Sequence, residues 1–368
     1  MNSCKEYFYR LMTDQESQRS DPPENLFLRF LKVVLSGLSM VYGFLVEQRA
    51  VFYKKRFFQG KRLARPVISV GNITWGGSGK TPLVELIVRF LQGKKVKPVV
   101  LIRGYMAEQR KSPDEKNLSD EARMLTQSLK NVPVLCGADR ITNAQAALKK
   151  YPVDVFVLDD GFQYLKLERD LDIVAIDAAN AFGNGKLIPR GILREPLSAL
   201  RRADVFVLTK TDGGRSNLES IKKKLRQINP GAPVVETIHQ AVGLTSLDDA
   251  ADAKAPSFLK GKSIAALCGI AQPNSFWDLL RSLGADLQIM KSFQDHYVYE
   301  RDDILHVLDL CREKKIDTLV TTDKDAVKLK KFQELFRNEF AVFSLKMKIQ
   351  ITTGEDELYG RISRLLDR

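Results

Sequence analysis

An apolar run, Pro66-Val-Ile-Ser-Val70, leads directly into Gly71-Asn-Ile-Thr-Trp-Gly-Gly-Ser-Gly-Lys-Thr81, and apolar residues then recur at helical spacing from Pro82 to Leu91. Strand, glycine-rich loop, Gly-Lys-Thr and helix in that order are the context of a phosphate-binding loop. Few short patterns restrict a fold so far, because each residue type answers a demand of the phosphates. Glycines at 76, 77 and 79 let backbone N–H groups close around phosphate oxygens without Cβ clashes. Lys80 can reach the β- and γ-phosphates, and the Thr81 hydroxyl can ligate Mg²⁺. The loop departs from the G-x-x-x-x-G-K-[ST] pattern at Thr74, where glycine is usual; Gly76 and Gly77 can supply the freedom instead. The residues expected against a bound nucleotide are Thr74, Gly76, Gly77, Ser78, Gly79, Lys80 and Thr81.

The alternation continues downstream. Strands are expected at 98–102, 132–135, 153–158 and 205–208, with helices at 121–130 and 141–149. That order predicts a parallel sheet with right-handed crossovers. The 153–158 run ends in Asp159-Asp160-Gly161, where a carboxylate can hold Mg²⁺ directly or through water. Two adjacent acids repel each other unless a cation or donors sit there. A composition shift at Asn229-Pro-Gly-Ala-Pro233 marks a boundary, and strands at 263–267, 285–290 and 318–321 give a second αβ alternation. Residues 345–351 read as a strand returning toward the first domain, followed by a terminal helix. The expected organisation is α/β: a P-loop NTPase domain of RecA-like type with a parallel or mixed sheet over 1–235, a smaller second α/β domain over 236–345, and 346–368 as the returning strand and helix.

Charge narrows the partners. Among 368 residues, 58 Lys and Arg stand against 45 Asp and Glu, a formal charge of +13. Such a balance attracts nucleic acid, an anionic membrane face or phosphorylated small molecules. Four scattered cysteines without a C-x-x-C pair exclude a disulfide scaffold and a thiolate zinc site. The first 25 residues lack the pattern of a secretory signal. Residues 26–46 are strongly apolar, and the polar or small interruptions at Asn25, Arg29, Lys32, Ser36, Ser39, Gly43 and Glu47 draw one narrow stripe down a helix. The uncharged part, 33–46, spans about 21 Å as a helix, short of a hydrocarbon core of about 30 Å. Arg49, Lys54, Lys55, Arg56, Lys61, Arg62 and Arg65 follow, interleaved with Phe52, Tyr53, Phe57 and Phe58. The expectation is a membrane-associated interfacial helix with a basic collar, on the cytoplasmic side, with a buried helix of the fold and a true span as the alternatives.

Thr209-Lys210-Thr211-Asp212, after the 205–208 strand, resembles the N-K-x-D base-reading motif of GTP-binding proteins, and Thr321-Thr322-Asp323-Lys324-Asp325 echoes it. Read alone, these stretches allow a P-loop GTPase or metallochaperone, and the positive charge allows a nucleic-acid-stimulated ATPase. A longer series of stretches favours another reading. Val70-Gly-Asn-Ile-Thr with Gly79-Lys-Thr-Pro82, Arg103-Gly-Tyr105, Ser119-Asp-Glu121, Asp159-Asp-Gly-Phe-Gln163, Phe182-Gly-Asn-Gly185, Leu193-Arg-Glu-Pro196, Cys268-Gly-Ile-Ala-Gln-Pro273, Phe293-Gln-Asp-His-Tyr297 and Thr322-Asp-Lys-Asp-Ala-Val327 run in order along the chain. In these the sequence resembles the tetraacyldisaccharide 4′-kinase family.

The resemblance implies ATP-dependent phosphorylation of the 4′-hydroxyl of an acylated glucosamine disaccharide 1-phosphate, giving the bis-phosphorylated lipid A precursor. It implies a monomeric enzyme with ATP and Mg²⁺, bound to an anionic membrane surface at the cytoplasmic face of the inner membrane, and no nucleic-acid partner. By the same resemblance Lys80 and Thr81 handle ATP and Mg²⁺, and Asp159, Asp160 and Glu195 surround the metal. Asp120 would be the base, His296 its partner oriented by Asp295, and Arg194 the group that stabilises the transferred phosphoryl. Tyr105 and Arg140 would lie along the lipid-substrate cleft. Read from the residues alone, Asp120 is the cap of the helix that follows and His296 a loop histidine. Placing Asp120 in the first domain and His296 in the second leads to the expectation that domain closure assembles the pair. Two departures from the family pattern are Ser119-Asp-Glu-Ala122, where Gly-Asp-Glu-Pro is usual, and Tyr164, where histidine is usual.

Overall fold

The structure, a computed structural model, describes residues 26–104, 120–248, 252–270, 273–294 and 297–367. They divide into two units: 26–104, 129–238 and 350–367 make the first, and 120–128 with the described part of 239–349 make the second.

In the first unit β1 (Val67–Asn72) is flanked in parallel by β4 (Val155–Asp159) and β5 (Leu171–Asp177). β2 (Pro98–Ile102) and β3 (Val134–Cys136) extend the sheet beyond β4, while β6 (Val205–Thr209) and the start of β7 (Val234–Ser246) extend it beyond β5. Every residue of β1, β2, β4, β5 and β6 is buried, as expected of parallel strands covered on both faces. Val70 pairs with Asp159. The glycine-rich loop and the Asp159-Asp160 turn therefore leave the carboxyl ends of neighbouring strands, where open α/β sheets bind ligands. β5 is not expected from the sequence, although Leu-Asp-Ile-Val-Ala-Ile-Asp is central to the sheet. After β1, α2 (Lys80–Gly93) buries Leu83, Val84, Ile87, Val88 and Leu91. On its other side Phe90 stacks on Tyr359 of the closing helix (Glu355–Leu366), ring centroids 4.0 Å apart.

The apolar N-terminal segment forms α1 (Leu26–Lys54), 29 residues long, eight beyond the expected end at 46. Glu47, Gln48 and Arg49 end the apolar run but are good helix formers, so the backbone continues. At about 43 Å the helix is long and apolar enough to cross a membrane. The middle of its stripe of small and polar residues turns inward: Ser39 and Gly43 are buried, with Leu35 beside them. Its apolar flank faces outward, with Phe27 67% exposed, Met40 76% and Phe44 61%.

In the second unit four parallel strands lie in the order β10 (Asp286–Ser292), β9 (Ser263–Cys268), β11 (Thr318–Thr322), β12 (Ala341–Thr353). The end of β7 runs beside β12, with Leu247 N–H donating to Val342 O at 2.9 Å, and the two-residue β8 (Ala253–Lys254) pairs antiparallel with β7. The chain enters at β9 and places its next strands on opposite sides, which puts a topological switch point between β9 and β11. Around it Leu267, Tyr299, Leu308 and Phe336 form a buried core. α3 (Asp120–Ser128) buries Ala122 and Leu125 and packs on the helix Asp323–Leu329. Asp120 thus belongs to the second unit rather than the first, because its helix finds its apolar partner there.

Candidate active site

The glycine-rich loop is fixed from three sides within the first unit. At its start, Asn72 is buried and donates through Nδ2 to Thr74 O at 2.8 Å. Thr74 forms an antiparallel bridge with Leu193, flanked by Arg194 N–H to Ile73 O at 2.8 Å and Trp75 N–H to Ile192 O at 2.7 Å. This explains why threonine replaces the usual first glycine: the loop opens as an extended ribbon, a conformation any residue adopts. Left-handed backbone is confined to Gly76 (φ 119°) and Gly79 (φ 74°). A Cβ on Gly76 or Gly77 would meet open space, so the loop forms a cradle whose rim is backbone. Ser78 Oγ is buried beside it without a hydrogen-bond partner.

From below, β6 supports the loop. Thr209 Oγ1 donates to Ser78 O at 3.0 Å, and Lys210 Nζ donates to Gly77 O at 3.2 Å and pairs with Asp177 Oδ2 at 2.6 Å. Thr211 Oγ1 donates to Thr237 O at 3.2 Å, while Asp212 is exposed. Thr209-Lys210-Thr211 therefore act on the phosphate loop and the sheet beneath it. Asp177, which anchors Lys210, escapes the sequence reading because its strand does; the apolar run between Asp172 and Asp177 is the signal that could have found it.

On the third side stands Asp160, in left-handed backbone (φ 53°) directly after β4. Lys80 Nζ lies 3.6 Å from Asp160 Oδ1, and Arg194 Nη1 donates to both carboxylate oxygens at 2.9 Å. Arg140, 3% exposed, donates to the carbonyls of Asp159 and Asp160 at 3.3 Å each and lies 4.6 Å over the Tyr164 ring. Burial opposes the charged Asp160 carboxylate, but Lys80, Arg194 and Arg140 outweigh it and hold the group below the usual carboxylate value. Burial likewise lowers the Arg140 guanidinium, against the pull of Asp160 and Asp159. The tyrosine standing for histidine at 164 thus backs the arginine that braces the acidic turn. Neighbouring Gln163 donates from Nε2 to Asn72 O at 2.8 Å, tying that turn to the loop.

This arrangement gathers Thr74, Gly76, Gly77, Ser78, Gly79, Lys80, Asp160, Arg194 and Arg140 around one cradle. Asp159 is buried beside it, and Glu195, also buried, is held by Arg202 Nη2 at 2.7 Å, with Arg202 lying 4.5 Å over the Phe162 ring. Asp120 opens α3 in the second unit. Tyr105 and His296 lie outside the described residues.

A glycine cradle, a lysine at the helix start and an acid just past the end of the neighbouring strand are the parts of which nucleoside triphosphate sites are built. The model of the family described as tetraacyldisaccharide-1-P 4′-kinase matches residues 31–367. The chain belongs to that family. Curated relatives named tetraacyldisaccharide 4′-kinase include one from Halothermothrix orenii, 38% identical over 327 residues, covering 83% of this chain and 85% of the relative. Another, from Syntrophus aciditrophicus, is 36% identical over 326 residues, with 82% and 86% covered. Among solved structures, the Aquifex aeolicus LpxK in complex with ATP aligns with a TM-score of 0.69 at 30% identity, over 91% of this chain and 99% of that one. The GTPase and nucleic-acid readings are not favoured: the stretch that suggested the first supports the phosphate loop here, and the family is a kinase family.

Proposed function

We propose that this chain transfers the γ-phosphoryl group of ATP to the 4′-hydroxyl of a tetraacylated glucosamine disaccharide 1-phosphate, forming the bis-phosphorylated lipid A precursor. The observation that carries this reading is the Lys80–Asp160–Arg194 cluster beside an open backbone cradle, in a chain of that kinase family. An ion pair with two cations on one acid is poised for exchange. When phosphates enter, Lys80 and Arg194 gain oxygens of higher charge than the carboxylate they leave. Lys80 then neutralises the β- and γ-oxygens, and Arg194 follows the charge that develops on the transferred group.

The donors around the cradle suit Mg²⁺. The Thr81 hydroxyl and the Asp159 and Asp160 carboxylates are hard oxygen ligands, and the exchange above frees Asp160 for the role. Glu195 fits less well, because Arg202 already holds one of its oxygens. When bound, Mg²⁺ supplies charge neutralisation on the phosphate oxygens. Arg140 acts through the turn it braces, since its buried guanidinium holds Asp159 and Asp160 in place. Asp120 is assigned the removal of the hydroxyl proton with His296, oriented by Asp295, as its partner, and Tyr105 a contact with the acylated sugar; these roles rest on the family motif. The outward apolar flank of α1 and the cations at 49–65 suit a peripheral position at the cytoplasmic face of the inner membrane, where an anionic lipid substrate resides.

Transfer of label from ATP radiolabelled at the γ-phosphate to a tetraacyl disaccharide 1-phosphate in mixed micelles tests the reading. Wild type should form labelled lipid, and Lys80→Ala should lose on the order of a thousandfold in rate. Intact ATP binding without labelled lipid in wild type would refute it.

A further inference from the structure

α1 does more than present an apolar flank. Its inward stripe docks on residues 187–194, the segment that pairs with the phosphate loop. Ser39 Oγ donates to Leu187 O at 2.8 Å and accepts from Arg190 N–H at 3.0 Å. The approach is close enough that a Cβ on Gly43 would come within 2.6 Å of Leu187 Cδ1. One turn from Ser39, Tyr42 Oη donates to Arg194 O at 2.8 Å. Arg194 is thereby held at three points: its carbonyl by α1, its N–H by Ile73 of the phosphate loop, and its guanidinium by Asp160. Burial, and then Glu195, push the Tyr42 hydroxyl up, so it remains a donor near neutral pH.

We infer that Tyr42 is a positioning residue for phosphoryl transfer. Its hydroxyl fixes the Arg194 backbone from the outer helix, so the element that meets the lipid also sets the arginine that meets the phosphate. This inference rests on the kinase reading above. Its physical basis is that a displacement of about 1 Å at a group contacting the transferred phosphoryl can cost about a hundredfold in rate. A hydroxyl bond to a backbone carbonyl moves that carbonyl by a fraction of this when lost.

Two classes of variant separate the positioning role from membrane contact. Tyr42→Phe removes the bond and leaves the outward flank intact; Gly43→Leu pushes α1 off Leu187 by bulk. The double variant Met40→Glu with Phe44→Glu alters the flank and leaves the docking stripe untouched. Each is measured for co-sedimentation with phosphatidylglycerol vesicles, for kcat and lipid KM in mixed micelles, and for lipid-free affinity for a fluorescent ATP analogue. Tyr42→Phe should lower kcat about tenfold and weaken ATP affinity a few-fold, with vesicle binding and lipid KM unchanged. Gly43→Leu should do the same more strongly. The flank variant should lose vesicle binding and raise lipid KM, with wild-type ATP affinity. Wild-type kcat and ATP affinity in Tyr42→Phe would overturn the inference, as would loss of vesicle binding in that variant. If wild type itself transfers no phosphate, the kinase reading fails, and the lipid-free ATP affinities still decide the role of Tyr42.

Discussion

Two carboxylates, one in each unit, follow the ends of parallel strands, one half-buried and one fully buried, and their surroundings differ in kind. Asp160 is ringed by cations: Lys80, Arg194 and the buried Arg140. Asp325, fully buried in the first turn after β11, is held by neutral donors: Gly269 N–H at 2.9 Å, the Tyr299 hydroxyl at 2.9 Å and the Thr322 hydroxyl at 2.6 Å. Cations around an acid can be drawn away by a more highly charged ligand. Neutral donors in a dry core have nowhere better to go. The first arrangement is a site in waiting, and the second is a rivet that joins the ends of β9 and β11 to the segment carrying Tyr299. Cys268 alongside is pushed up to about 12 by burial and by Asp325, so it is an inert thiol.

Removing the rivet should have the largest effect. Asp325→Leu leaves a backbone N–H and two hydroxyls without their acceptor, at about 1–3 kcal/mol each, so denaturant unfolding should show a loss of several kcal/mol. If the variant unfolds like wild type, the contrast between the two acids fails. Asp160→Asn should instead spare most of the stability and lower label transfer about a hundredfold, equivalent to about 2.7 kcal/mol of barrier; full turnover in that variant would make Asp160 a second rivet. Tyr299→Phe removes one donor and keeps the ring, so a loss of about 1 kcal/mol is expected by the same unfolding measurement.

The smallest effect is in acid. Because its cations hold Asp160 below the ordinary carboxylate value, its contribution is fully present above that value and fades as pH falls through the folded-state pKa. The stability gap between wild type and Asp160→Asn should therefore be constant near neutrality and narrow below about pH 4. A gap that widens in acid would reverse the assigned sign.

Much of this contrast is legible in the chain, and the illegible part has physical causes. The strand at 98–102 is bounded by Pro98 and the Arg103-Gly104 turn, and the structure returns it residue for residue. The phosphate loop is equally plain, because glycine and lysine have few other uses in that order. β5 is hidden because charged residues crowd its start and Asp172 interrupts it; only the strands on either side make its position obligatory. The stripe along α1 can be read from spacing, but which way it turns depends on Leu187 and Arg194, some 150 residues away. The same holds for Asp120, whose helix is visible in sequence while its unit is decided by a partner at 323–329. Tyr42, Asp177 and Arg202 act through backbone or through another side chain, and no motif records such a role.

The stacking of Phe90 on Tyr359 has a consequence for how the molecule is made. The helix that follows the phosphate loop obtains its aromatic partner from a stretch that leaves the ribosome only after the whole of His239–Ile349 has been synthesised. At usual translation speeds that interval is on the order of ten seconds. For its duration a nascent nucleotide-binding unit must wait with one flank of α2 bare and an apolar helix already outside the tunnel.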